Sequence, residues 1–421
     1  MRQPIERHLP YRLPCLYTIL RQESSERARA EMVTAVKRGL LQSAPWQRSM
    51  PSQFFYDDEG SALYERITQT DDYYLTRCEA EIFAERADDI LDIAAGIRRT
   101  DVDAAAPSAA SPSDVVSLID LGAGDGRKTL VLLQRAVQRG LRVCYVPVDI
   151  SEKAMVSCAE RVMPAMEKAL MREKRPLGAA PSFMFRGLVG DFFECLEYLF
   201  DEDTAAERRV NGMRVDAWDR AVDGTADDRL RHRIMVTFIG SSIGNLDIAS
   251  SIQFCRRMRT LLRHGVDHCL IGFDLRKSHH LMQRAYSDRE GITAEFNRNL
   301  LRRMNRELGA DFDADRFEHY AQFSVERGVM ESYLVATQPM RVTFRHLEAE
   351  EGSNERATRA PSTARAPAVL ELRAWEAIHT ENSAKYTIEQ IEQMARSAGF
   401  EGAIAHLSDS RHWFVDSIFE A

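Results

Sequence analysis

The chain has 421 residues, 44% hydrophobic and 29% charged, so it is long enough for two or three globular domains and too apolar for a disordered polymer. Lys and Arg number 56 against 64 Asp and Glu, and the net charge of −8 removes the positive field that usually announces a nucleic-acid binder. No run of about 18 apolar residues occurs, which excludes a membrane-spanning helix.

Residues 1–14, with Arg2, Glu6, Arg7 and Arg12, lack an apolar signal core and read as a tail. Residues 98–114 (RRTDVDAAAPSAASPSD) are small and polar and read as a flexible insertion. The run at 115–121 is apolar and ends in Gly122, and residues 127–137 then show helical spacing of Leu130, Leu132, Leu133 and Val137. A second strand is expected at 143–148, followed by a helix from Ser151. A charge-dense stretch, 201–231, reads as another insertion; further strands are expected at 234–239 and 269–273. Residues 348–367 are the clearest low-complexity segment, and two last strands are expected at 402–408 and 413–419. Short apolar strands alternating with amphipathic helices predict an α/β fold with a parallel sheet covered on both faces. Seven cysteines, at 15, 78, 144, 158, 195, 255 and 269, never form a C-x-x-C pair. That pattern suits reduced thiols in a cytoplasmic protein better than a disulfide framework or a zinc site.

The first strand of the alternation runs into Gly122-Ala123-Gly124-Asp125-Gly126. Glycines there let a backbone turn sharply beside a ligand, although a dinucleotide site would place its third glycine one residue later. The second strand ends in Asp149, about 25 residues on, where a carboxylate can bind both ribose hydroxyls. Gly190-Asp191-Phe192 then supplies an acid beside a ring, suited to an adenine. In this order the three elements resemble the class I S-adenosylmethionine-dependent methyltransferases, whose Rossmann-like core needs no metal. Read singly, each is a tight turn, a helix cap or a packed phenylalanine.

Motifs outside the core narrow the likeness. They are PSQFFYDDEGS (51–61), YYLTRCEAEI (73–82), YVPVDIS (145–151), GSSIGNL (240–246), GFDLRK (272–277), AYSD (285–288), GITAEFNRNL (291–300) and ENSAKY (381–386). Together they resemble the histidine Nα-methyltransferases of ergothioneine biosynthesis, over nearly the whole chain from about residue 45. The resemblance implies a core at 79–275 and 386–421, with a substrate-binding lid domain at 15–78 and 276–385. It implies S-adenosylmethionine at Gly122, Gly124, Lys128, Asp149, Asp191 and Phe192. It implies an amino-acid substrate at Tyr73, Asn245, Tyr286, Ser332, Glu381 and Ser383, with Tyr56 close by.

The chemistry of these side chains is compatible with those roles. An amide and a phenol can donate to a carboxylate, and an acid two residues from a hydroxyl can accept from one imidazole nitrogen and donate to the other. No histidine or cysteine of the motifs is placed as a base, so water or a phenol, Tyr56 or Tyr73, is expected to take the amine proton. Read alone, Asn245 would be a helix N-cap and the tyrosines half-buried packing. Three departures from the family pattern stand out: Asn382 replaces an apolar residue, Leu75 a proline, and Ser332 a methionine expected to shape the side-chain pocket. The leading expectation is a monomeric enzyme trimethylating free histidine. The alternatives are a methyltransferase for a tryptophan derivative, one for protein or RNA, and an inactive cofactor-binding subunit.

Overall fold

The structure, a computed structural model, describes residues 4–20, 25–97, 115–171, 182–200, 232–347 and 367–421. The three expected insertions lie outside the described residues, apart from residue 367.

Strands β1 (Ile5–His8) and β2 (Cys15–Ile19) open the described chain, followed by helices α1 (Ser25–Val36), α2 (Asp58–Thr68) and α3 (Leu75–Ala95). Alternation then sets in with β3 (Val115–Leu121), α4 (Thr129–Gln138), β4 (Arg142–Asp149), α5 (Glu152–Leu170), β5 (Phe183–Val189) and α6 (Phe192–Phe200). It continues through β6 (His232–Phe238), α7 (Ile248–Leu261) and β7 (His268–Asp274). Next come α8 (His279–Tyr286), α9 (Ile292–Leu308), β8 (Phe317–Ser324), β9 (Val329–Ala336), β10 (Met340–Phe344), β11 (Ala368–Leu372) and β12 (Ala377–Ala384). The chain closes with α10 (Ile388–Ala398), β13 (Ala403–Ser408) and β14 (Phe414–Glu420).

A nine-stranded sheet, in the order β1-β2-β5-β4-β3-β6-β7-β14-β13, forms the Rossmann-like core. It is parallel from β2 to β7, while β14 runs antiparallel to β7. All seven residues of β3 are buried, as a strand covered on both faces requires. Val116 and Leu118 pack toward α3, α4 and α5, whereas Ile119 and Leu121 join Leu196, Phe254 and Ile391 on the side of α6, α7 and α10. Since β3 has β4 on one side and β6 on the other, the strand order reverses there, and a crevice opens beyond the carboxyl ends.

The remaining elements make a smaller layer. Strands β8, β9 and β12 form an antiparallel sheet, β10 and β11 a ribbon, and α9 packs on α2. Helix α9 starts behind Gly291 (φ 73°), with Asp288 accepting from the backbone of Ile292 (3.0 Å) and Thr293 (2.7 Å). Helix α10 starts on a capping box in which Thr387 and Gln390 bond each other's backbone.

The amino-terminal residues differ from expectation. Ile5–His8, read as tail, is the edge strand of the large sheet, and Cys15–Ile19, assigned to the lid, is the next strand in, antiparallel to β1 and parallel to β5. Gly187 of β5 faces α5 closely: a Cβ there would meet Met155 Sδ at 2.3 Å, and Tyr17 Cβ of β2 stands at 3.0 Å. Among the described residues no helix is long and apolar enough to cross a membrane.

Candidate active site

The carboxyl ends of β3, β4 and β5 gather the expected cofactor residues along one edge. After β3 the chain turns through Gly122, Gly124 and Gly126, with φ of 73°, 55° and 69°. Such angles cost side-chain-bearing residues energy, and a Cβ on Gly126 would strike Cys158 Sγ at 2.7 Å. Gly124 faces open space, and its N–H donates to Asp149 Oδ2 (3.1 Å), while the Ser151 N–H donates to Oδ1 (2.9 Å). Each Asp149 oxygen therefore keeps a lone pair for a hydroxyl. Burial raises the Asp149 carboxyl above its usual range, with these backbone donors pulling the other way.

Asp191 caps α6, its Oδ1 accepting from Phe193 N (2.9 Å) and Glu194 N (3.3 Å). The Phe192 ring stands edge-on to Phe238 at 5.7 Å and lies over Gly122, with Cζ 3.6 Å from where a Cβ would sit. An open glycine turn, a diol acceptor and a ring-plus-acid ledge fit a nucleoside with a short charged chain. Lys128 bonds Glu79, which is fully buried and accepts from Gly240 N at 2.6 Å. Burial opposes the Lys128 charge, but Glu79 outweighs it and holds the ammonium above its usual value. Lys128 thus ties the β3 loop to the β6 loop.

A second cavity adjoins this crevice. Tyr56, Tyr73, Asn245, Tyr286, Glu381 and Ser383 all line it, joined by Tyr64, Thr293 and Phe296. Tyr56 stands at the rim, 42% exposed, with its ring against Tyr64 (5.8 Å) and Phe296 (5.7 Å). Tyr73 lies deeper, 3.5 Å from the Tyr64 hydroxyl, and burial followed by its neighbours Tyr64 and Tyr286 holds its phenol well above the usual value. Asn245 ends a 3-10 turn after β6; the residue capping α7 is Asp247, which accepts from Ser250 N at 2.7 Å, so the amide of Asn245 remains for the cavity. The turn starts at Ser241, whose left-handed φ of 58° is unusual for a residue with a side chain.

Ser332 lies on β9 directly across from Glu381 on β12, and its hydroxyl donates to Glu381 Oε2 at 3.1 Å. At 2% exposure it holds the acid from behind and does not line the cavity. Burial raises the Glu381 carboxyl above its usual range, with Ser332 and Lys385 lowering it again. Asn382 bonds His379 at 3.1 Å instead of facing the cavity. Leu75, at the start of α3, lines it. Tyr286 OH donates to Ser383 Oγ at 2.7 Å.

The structure therefore brings the expected substrate residues into one cavity, with Ser332 behind it, and the expected cofactor residues into the neighbouring crevice. Sequence reasoning missed Tyr64, Thr293 and the charged floor made by Asp274, Lys277 and Lys385. Thr293, Asp274, Lys277 and Lys385 all lie inside motifs already singled out, GITAEFN, GFDLRK and ENSAKY, so the signal was available. Tyr64, on the inner face of α2, had none beyond helical spacing.

Comparison with known proteins identifies a family. A family model described as histidine-specific methyltransferase, SAM-dependent, matches residues 32–421. A histidine N-alpha-methyltransferase of Mycobacterium tuberculosis is 30% identical over 307 residues, 72% of this chain and 74% of that protein. One of Mycolicibacterium smegmatis is 28% identical over 390 residues, covering 92% of each chain. Ergothioneine biosynthesis protein 1 of Schizosaccharomyces pombe is 27% identical over 297 residues, 70% of this chain and 31% of that longer protein.

Proposed function

The chain belongs to the family of histidine-specific, S-adenosylmethionine-dependent methyltransferases and is an S-adenosylmethionine-dependent N-methyltransferase; from that premise we propose that it methylates the α-amine of free L-histidine up to the trimethylated betaine, hercynine, as in ergothioneine biosynthesis. The observation that carries this reading is the pair Glu381 and Ser383, two residues apart on β12 and both lining the cavity. An imidazole needs one acceptor and one donor, and a cavity built to pair both rejects side chains that leave them unpaired.

When bound, S-adenosylmethionine supplies a methyl group already activated on a sulfonium. The task left to the protein is alignment. Asn245 and Tyr286 donate to the α-carboxylate; Tyr73 and the rim residue Tyr56 flank the amine. A phenol held above its usual value stays protonated near neutrality, so Tyr73 serves as a hydrogen-bond partner and the amine proton leaves to water. With neutral hydroxyls around it, the amine can turn between successive additions. Asp149 holds the ribose, Asp191 and Phe192 the adenine, and Lys128 the loop between the two halves. The setting that goes with this reading is the cytoplasm, since all seven cysteines are unpaired.

The test is a panel of free amino acids and short peptides with isotope-labelled cofactor and mass analysis. Histidine carrying one, two and three methyl groups is expected. Methylation of tryptophan derivatives with histidine ignored, or of protein or RNA alone, would overturn the assignment.

A further inference from the structure

A charged cluster that the reading above does not use lies beneath Tyr286 and Ser383. The Lys385 side chain has no solvent exposure, and its ammonium donates to Asp274 Oδ2 (2.7 Å), Tyr286 OH (2.8 Å) and Ser383 Oγ (2.9 Å). Those three bonds use all three of its protons. Asp274, equally buried at the end of β7, also pairs with Lys277, whose side chain is 5% exposed, and accepts from Tyr74 at 2.8 and 3.0 Å. Two ammonium groups and one carboxylate thus stand in direct contact. The other carboxylate of this cavity, Glu381, lies four residues back along the chain and is bonded to Ser332. Glu381 offsets the second ammonium only through space and touches neither lysine, so a carboxylate brought against Tyr286 and Ser383 would be the second anion within reach of Lys385.

The polarity of the bonds says where that anion belongs. Both hydroxyls accept from Lys385, so each turns its own proton away from the ammonium. Tyr286 spends its proton on Ser383. With a ligand present, the same proton can point at a carboxylate, and the ammonium behind it strengthens the bond. Along the chain Glu381, Ser383 and Lys385 follow at intervals of two, placing the ring-reading acid at one end and the cation at the other.

We propose that Lys385, backed by Asp274 and Lys277, is a positioning residue that supplies the counter-charge for the substrate's α-carboxylate through the hydroxyl of Tyr286. It makes a free carboxylate a condition of binding, so the enzyme takes free amino acids and refuses the amino-terminal histidine of a peptide. The inference rests on the amino-acid reading given above. An amide or peptide carbonyl is neutral and gains no such charge assistance through Tyr286.

The test compares kcat/KM for L-histidine and L-histidinamide in the wild type, Lys385→Met and Lys385→Arg, with affinity for S-adenosylhomocysteine and Tm as folding controls. The wild type should prefer histidine by on the order of 100-fold. Lys385→Met should lose on the order of 10–100-fold on histidine, as expected for losing charge assistance to one bond, and far less on histidinamide, so the preference collapses. Lys385→Arg should retain part of it. A merely structural lysine would lower both substrates together and leave the ratio intact, and that result overturns the proposal. Should Lys385→Met fail to fold, Tyr286→Phe keeps the ammonium and removes the relay hydroxyl; it should compress the same ratio, and an unchanged ratio again overturns the proposal. If the wild type methylates no free amino acid, the substrate reading itself has failed. If it methylates histidine and histidinamide equally well, only the role of Lys385 has.

Discussion

Replacing Glu381 with alanine separates substrate recognition from cofactor binding. Its carboxylate has one oxygen held by Ser332 and the other toward the cavity, where it would accept from an imidazole N–H. Hydrogen bonds to a charged group contribute about 1.5–3 kcal/mol, and about 1.4 kcal/mol is a factor of ten, so kcat/KM for histidine should fall about 10–150-fold. Glu381→Gln keeps the shape and an acceptor oxygen but not the charge, and should fall about half as far on a logarithmic scale. The cofactor residues lie at the ends of β3, β4 and β5 and share no hydrogen-bonding partner with Glu381, so the two sites should behave independently. Steady-state kinetics at saturating cofactor, beside calorimetric titration with S-adenosylhomocysteine, measure both quantities. Equal losses in both, or histidine turnover unaffected by Glu381→Ala, would refute the reasoning.

Asp149→Ala should weaken S-adenosylhomocysteine on the order of 10–100-fold by removing the ribose acceptor, with little change in the KM for histidine once cofactor saturates; unchanged affinity by calorimetry would remove Asp149 from the site. Asp288→Ala should cost about 1–2 kcal/mol in urea unfolding, since it strips the cap from α9, which carries Thr293 and Phe296 to the cavity. Burial raises the Asp288 carboxyl, but the donors at Thr293 and Ile292 outweigh it and leave it below the usual value. A depressed folded-state value stabilises above the unfolded value of about 3.9 and is lost as pH falls through the folded one. The gap between wild type and variant should accordingly close in acid. Burial raises Glu381, so it should take up its proton at higher pH than an ordinary glutamate, and kcat/KM should fall early on the acid side. Glu381→Gln should lose that component and keep the acid limbs due to the substrate's own imidazole and α-ammonium.

The parallel core was legible because its strands are buried on both faces and so appear as unbroken apolar runs. The run read at 115–121 is strand Val115–Leu121, and those read at 143–148 and 269–273 each lie one residue inside Arg142–Asp149 and His268–Asp274 at either end. Edge strands have no such signature. All four residues of Ile5–His8 are exposed, and Cys15–Ile19 finds its parallel partner in β5, far along the chain. The cavity's hydroxyls and amide could be listed from motifs, but not their roles. Ser332, expected among the substrate residues in place of a pocket-shaping methionine, grips Glu381 from behind, because pairing of β9 with β12 sets it opposite that acid. Buried charge was the least legible feature. Asp274, Lys277 and Lys385 look like surface residues in sequence, and only the end of β7 with its following loop, meeting the loop after β12 under Tyr286, turns them into a floor.

The most direct measurement is a crystal structure of the protein with S-adenosylhomocysteine and histidine bound together. The imidazole should lie between Glu381 and Ser383, the carboxylate against Tyr286 and Asn245, and the amine toward the cofactor. Histidine lying outside this cavity, or reversed within it so that its carboxylate meets Glu381, would contradict that placement.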